Sequence, residues 1–72
     1  MIRFIQDKRP RYGHVDVYVN PSDVMSIKDI NGERSTENRS RITIRNGDAY
    51  DVTDYASIVA EKVNAALEAT TP

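Results

Sequence analysis

The sequence predicts an α+β domain: a twisted antiparallel sheet of four to five short strands, with one C-terminal amphipathic helix packed on one face. Three observations point there. Apolar residues alternate with polar ones in His14–Val19 and in Arg41–Arg45, the period of a half-buried strand. Asn46-Gly47 sits between two such runs, a strong hairpin signal. From Tyr55 to Leu67 the apolar spacing changes to three and four residues, the period of a helix with one buried face. Two layers around a single core are the standard way to bury both patterns.

Taken in order, Ile2 and Phe4 alternate with Arg3 and predict a strand over residues 2–7. Lys8-Arg9-Pro10-Arg11-Tyr12-Gly13 follows, and Pro and Gly among the cations predict an exposed turn. In the next strand Val15, Val17 and Val19 share one face and His14, Asp16 and Tyr18 the other. Asn20-Pro21-Ser22-Asp23 ends it, because Pro offers no N–H to a ladder and Asn and Asp suit turns. Val24, Ile27 and Ile30 are spaced by three, so a helical turn near Ser22–Met25 competes with a strand. A strand from about Met25, with Met25 and Ile27 on one face, is the expectation taken forward.

Asn31–Ser40 contains no large apolar residue and reads as a connection or hairpin tip. Ile42 and Ile44 then point inward, Asn46-Gly47 makes a type I′ turn, and Ala49–Val52 is the returning strand. Thr53 is the expected helix N-cap, with Asp54 in the first turn, where the helix dipole favours a negative charge. Tyr55, Ile58, Val59, Val63, Ala66 and Leu67 form the expected buried stripe of a helix over about residues 54–69.

Composition narrows the class. The chain has 72 residues, 39% apolar and 29% charged, which fits one folded domain and is too apolar for a disordered tail. Without Cys there is neither a disulfide framework nor a thiolate zinc site, and a cytoplasmic setting is expected. No apolar run approaches the roughly 20 residues that span a bilayer, and Met1–Asp7 holds no signal-peptide core. No membrane role is therefore expected. A domain of this size buries only about 60% of its unfolded surface; with a disulfide impossible and a metal not expected, self-association or partner binding gains weight.

The run Val19-Asn20-Pro21-Ser22-Asp23-Val24-Met25-Ser26-Ile27, then Ser40-Arg41-Ile42-Thr43-Ile44-Arg45-Asn46-Gly47 and Val52 before a helix, resembles the small FlbD-like flagellar or swarming-motility proteins. The C-terminal half of LytTR-type DNA-binding domains is similar in rhythm. The resemblance spans about residues 17–67 and implies a bacterial or phage-borne accessory protein of α+β architecture without catalytic chemistry. The lengthened segment Lys8–His14 and the Arg-bearing loop 31–40 depart from it. The N-terminal half of a LytTR domain has no counterpart, so no DNA-contact residue is carried over.

Chemistry-bearing patterns are sparse. His14 is the sole histidine; Asp16 shares its strand face, but a solvated His beside a turn is the plainer account. One His without Cys leaves a metal to carboxylates, and Asp48, Asp51 and Asp54 do not reproduce a calcium-loop spacing. No metal ligand and no cofactor are assigned. Asp51 and Asp54 are explained by the helix start, and the three glycines are too scattered to cradle a phosphate. An enzyme has no positive support.

Charge says more. Residues 1–45 carry 9 basic and 6 acidic side chains, and residues 46–72 carry 1 and 5, giving +3 and −4. A cationic sheet-and-loop side and an anionic helix side are expected. The partner-binding residues are read as Arg9, Arg11, Tyr12, Tyr18, Arg39, Arg41 and Arg45, because Arg forks suit carboxylates and phosphates and an exposed Tyr is a good anchor. The ordinary alternatives are a solvated face and, for Tyr18, a cross-strand surface pair. A protein partner leads; a DNA- or RNA-binding regulator using the same cations is the alternative, disfavoured by a pI of 5.7. A homodimer through a strand edge or the helix back is the third reading. A phage- or mobile-element-encoded inhibitor fits the small, cysteine-free character.

Overall fold

The computed structural model describes residues 1–8, 13–30 and 37–70. Its class is the expected α+β. Among the described residues five strands occur: β1 (Ile2–Asp7), β2 (His14–Val19), β3 (Val24–Asp29), β4 (Ser40–Ile44) and β5 (Ala49–Val52), followed by helix α1 (Ala56–Thr70). They divide into a two-stranded ribbon, β1-β2, and a three-stranded sheet in the order β3-β4-β5. All pairings are antiparallel.

The seam between the sheets explains why they are separate. The Thr53 N–H donates to the Ile5 carbonyl at 2.8 Å, just beyond the end of β5. At the far end of β1, Asn38 takes the place of a strand. Its Oδ1 accepts from the Asp7 N–H at 2.9 Å and its Nδ2 donates to the Asp7 carbonyl at 3.0 Å. Asn38 and Asp7 are both buried, so these bonds satisfy backbone groups that water does not reach.

The core is where the patterns meet. Phe4 and Val19 from the ribbon, Ile42 and Val52 from the sheet, and Val59 and Val63 from the helix form one buried cluster. Ile42 is fully buried and Ile44 packs on the cluster, so both face inward as the alternation requires. Lys62 Nζ lies 5.7 Å from the centre of the Phe4 ring and 2.7 Å from Asp54 Oδ2. The ammonium thus stands over the ring while the side chain stays about half exposed.

Several local expectations are corrected. Val24 and Ile27, not Met25 and Ile27, face the core, and Met25 is 66% exposed. The register steps from Val24↔Ile44 to Ser26↔Thr43, so Met25 is the extra residue of a β-bulge. The spacing of three that suggested a helical turn belongs partly to that bulge. A helical turn near Ser22 does occur, as the 3₁₀ turn Pro21–Asp23 ahead of the strand, where Asn20 caps the Ser22 N–H and Pro opens the turn.

The hairpin at Asn46-Gly47 is not a two-residue type I′ turn. Gly47 N–H donates to the Ile44 carbonyl, and Ile44 N–H to the Asp48 carbonyl, each at 2.9 Å. The loop is therefore Arg45-Asn46-Gly47, with Gly47 at φ +96° as the bulge residue. A Cβ there meets nothing within 4 Å, so only backbone strain opposes one. Gly47→Ala is expected to cost about 1–2 kcal/mol, read as a fall in thermal midpoint of about 4–8 °C per kcal/mol.

The helix starts later than expected, and Thr53 is not its cap. Thr53 is held by its bond to Ile5, while the Tyr55 carbonyl accepts the Val59 N–H at 3.0 Å. Tyr55 is thus the residue before the first turn. It is 54% exposed rather than core. Ile58, about 100° round the helix from Val59, is also exposed. The buried stripe is Val59 and Val63, flanked by half-buried Ala56, Ala60, Ala66 and Leu67.

Candidate functional site

The outer face of the ribbon is built by pairing alone. Arg3 stands opposite Tyr18 and Ile5 opposite Asp16. Phe4, Val17 and Val19 point to the core, so period two turns Arg3, Ile5, Asp16 and Tyr18 outward, and all four are exposed. Tyr18 is 59% exposed and Ile5 37%; they are diagonal neighbours across the pair, about 7–8 Å apart in such geometry. An aromatic ring and a branched aliphatic chain thus sit between one cation and one anion. Ile5 was read only as part of a strand, and no charge pattern marks it.

Arg41 and Arg45 do not join Tyr18. Arg41 donates from Nε to Asp51 Oδ1 at 2.8 Å and from Nη2 to Asp51 Oδ2 at 3.3 Å. The two residues are cross-strand partners, and both are about two-thirds buried. Arg45 lies in the hairpin loop, 3.8 Å from Asp23 Oδ1, and donates to the Ser22 carbonyl at 3.1 Å. Arg39 is half-buried and its backbone works as a ladder: its N–H reaches the Val52 carbonyl and its carbonyl the Ile30 N–H. By alternation Arg39 shares the outward face of Arg41. Tyr18, on β2, is separated from these arginines by β1 and β5. Arg9, Arg11 and Tyr12 lie outside the described residues.

The expected division into cationic and anionic sides is also softened. Asp51 and Asp54, from the acidic C-terminal part, neutralise Arg41 and Lys62 at short range. Sequence halves are not spatial halves when β5 returns beside β4.

Buried polar groups are what the sequence reading missed. Asp7, Asn38 and Ser40 are each at most 5% exposed. Ser40 Oγ donates to the Asp54 carbonyl at 2.8 Å, fixing the link into the helix to the start of β4. Asp7 Oδ2 accepts the Glu37 N–H at 2.7 Å. These contacts join residues 14 to 31 positions apart, and no short spacing announces them.

Two shallow depressions flank the helix. One is lined by Ile58, Glu61, Lys62 and Ala65, the other by Met1, Ile2, Asn20, Pro21, Ser22 and Ala66. Neither gathers a nucleophile and a base at hydrogen-bonding distance. Among the described residues no helix is long and apolar enough to cross a membrane. Against known proteins, the chain matches no family model, no curated protein and no solved structure.

Proposed function

We propose that the chain is a non-enzymatic cytoplasmic binding module that docks on a protein partner through the outer face of the β1–β2 ribbon. The observation that carries this reading is the exposed Tyr18 beside Ile5, bracketed by Arg3 and Asp16. Aromatic and Arg side chains concentrate binding energy when a partner excludes water from them. Charges of both signs at the rim suit a protein surface, which carries both, better than a uniformly anionic phosphate backbone. Pairing of Arg41 with Asp51 and of Arg45 with Asp23 weakens the nucleic-acid alternative further. The FlbD-like resemblance, which implies an accessory protein without catalysis, belongs to the same proposal.

The test uses the intact chain as bait in extract of its source cell, followed by titration of the captured protein. Tyr18→Ala is expected to weaken that binding at least thirtyfold, the range of a hot spot worth about 2 kcal/mol. Arg41→Glu with Arg45→Glu is expected to change it less. Binding to single- or double-stranded nucleic acid with a steep log–log salt slope, or equal capture by Tyr18→Ala, overturns the assignment.

A further inference from the structure

The hydrogen bonds at the seam fix which way each strand of the ribbon turns its backbone. On β1 the Ile5 carbonyl accepts from Thr53, and both backbone groups of Asp7 go to Asn38, so these residues bond away from β2. Backbone direction alternates along a strand, so the pairs Ile2↔Val19, Phe4↔Val17 and Gln6↔Val15 carry the ladder. The Lys8 N–H, donating to the Gly13 carbonyl at 2.6 Å, continues the same phase. His14, Asp16 and Tyr18 therefore aim their N–H and C=O groups at the opposite edge of β2, where no partner for them occurs among the described residues. We propose that this edge pairs antiparallel with β2 of a second copy of the chain, about a twofold axis at Val17.

An open edge is normally blunted, and β2 is not. Its six pairs with β1 run without a register shift, and it holds neither Pro nor Lys. By contrast β3, outermost in the three-stranded sheet, carries the Met25 bulge and Lys28, two devices that deter pairing. The core side of β2 is also short of cover: Val15 and Val17 are only half-buried, whereas Val19 is 2% exposed. Backbone direction then restricts the twofold registers, because only His14, Asp16 and Tyr18 can form the bonded pairs. Centring on Asp16 sets two Asp16 carboxylates directly opposite each other, which is unfavourable. Centring on Val15 overlaps only residues 14–16 of the strand. Centring on Val17 overlaps residues 15–19 and bonds Asp16 to Tyr18 of the second copy, twice by symmetry. On the core side it sets Val17 against Val17 and Val15 against Val19. Identical strands thus match apolar with apolar and keep like charges apart. The axis stands perpendicular to the sheet, so both Tyr18–Ile5 patches come to the same side.

The experiment is sedimentation of the purified full chain over a wide concentration range, with hydrogen exchange measured at both extremes. The mass is expected to rise from 8.1 kDa toward twice that value. The Asp16 and Tyr18 amides gain protection in step with it, and the His14 amide does not. Asp16→Pro removes an edge N–H that β1 does not use, at a position where Pro is tolerated. It is expected to keep the wild-type circular dichroism and to weaken self-association at least tenfold. Because the chain has no Cys, Val17→Cys reads the register through a single thiol. In the proposed pairing that residue faces its own copy in a non-hydrogen-bonded pair, about 4.5 Å between Cα atoms, which is within disulfide reach. Oxidised glutathione is therefore expected to convert the associated fraction to a covalent dimer. A chain that stays monomeric throughout, a folded Asp16→Pro that associates as the wild type does, or an associating Val17→Cys that fails to cross-link overturns the proposal. No partner protein is present in these measurements, so they and capture through Tyr18 are decided independently.

Discussion

Phe4→Ala is expected to bring the domain close to unfolding. Phe4 is 1% exposed and is the ribbon's large side chain in the common core, packed with Ile42, Val52 and Val59. Truncating a buried Phe costs about 3–5 kcal/mol, transfer and cavity together. At about 0.05–0.15 kcal/mol per residue, a chain of this length holds roughly 4–11 kcal/mol in all. The urea midpoint should therefore fall by about a quarter or more, with the slope unchanged. Phe4→Leu, which keeps most of the volume, should recover more than half of the loss. Lys62→Met separates packing from charge, since it retains an unbranched side chain but removes the cation and its pairing with Asp54. Its cost should stay within about 1 kcal/mol, because exposed cation–π contacts and ion pairs are each worth that or less. A larger loss for Lys62→Met than for Phe4→Ala would assign the site to electrostatics.

Asn38→Ala is the second large effect. The side chain is 5% exposed, and its amide is the partner of both backbone groups of Asp7. Removing it strands a buried N–H and a buried C=O at about 1–3 kcal/mol each, or about 2–6 kcal/mol together. Asn38→Asp is the sharper variant. It keeps an acceptor for the Asp7 N–H but sets an oxygen against the Asp7 carbonyl and adds a charge near the Asp7 carboxylate. It should be at least as unstable as Asn38→Ala near neutral pH. Hydrogen exchange at the Asp7 amide reads the clip directly: protection should be high in the wild type and nearly lost in both variants, while Ile42 keeps its own up to the new global stability. Unchanged protection at Asp7 in Asn38→Ala would show that another group holds this end of the ribbon.

What the sequence revealed follows the range of the forces involved. The strands at Ile2–Asp7 and His14–Val19, the returning strand Ala49–Val52 and the helix body came from periodicity, which burial on one face imposes locally. The errors sit where one residue changes the phase. Met25 slips the register by a bulge, and Gly47 closes a three-residue loop in place of a two-residue one. Thr53, a good cap by type, lies three residues ahead of the first helical residue, Ala56, with its N–H bonded to the Ile5 carbonyl across the seam. Of the expected contact residues, Tyr18 is exposed as its alternation required, whereas Arg41 was legible as outward but not as bound to Asp51. A cross-strand partner depends on register, and that hairpin's loop length set the register. Asn38 was invisible for a plainer reason: its partner Asp7 lies 31 positions away along the chain, and a lone Asn in a polar stretch has no periodicity to read.

The division into two small antiparallel sheets has a bearing on how the chain reaches its native state. Each ladder joins strands adjacent in sequence, so each closes short loops and zips early. Contacts from Ile5 to Thr53 and from Asp7 to Asn38 close much longer loops. Docking the first hairpin onto the meander and the helix is then the slow, late step. Its transition state should be sensitive to Phe4 and Val19 and indifferent to Gly47.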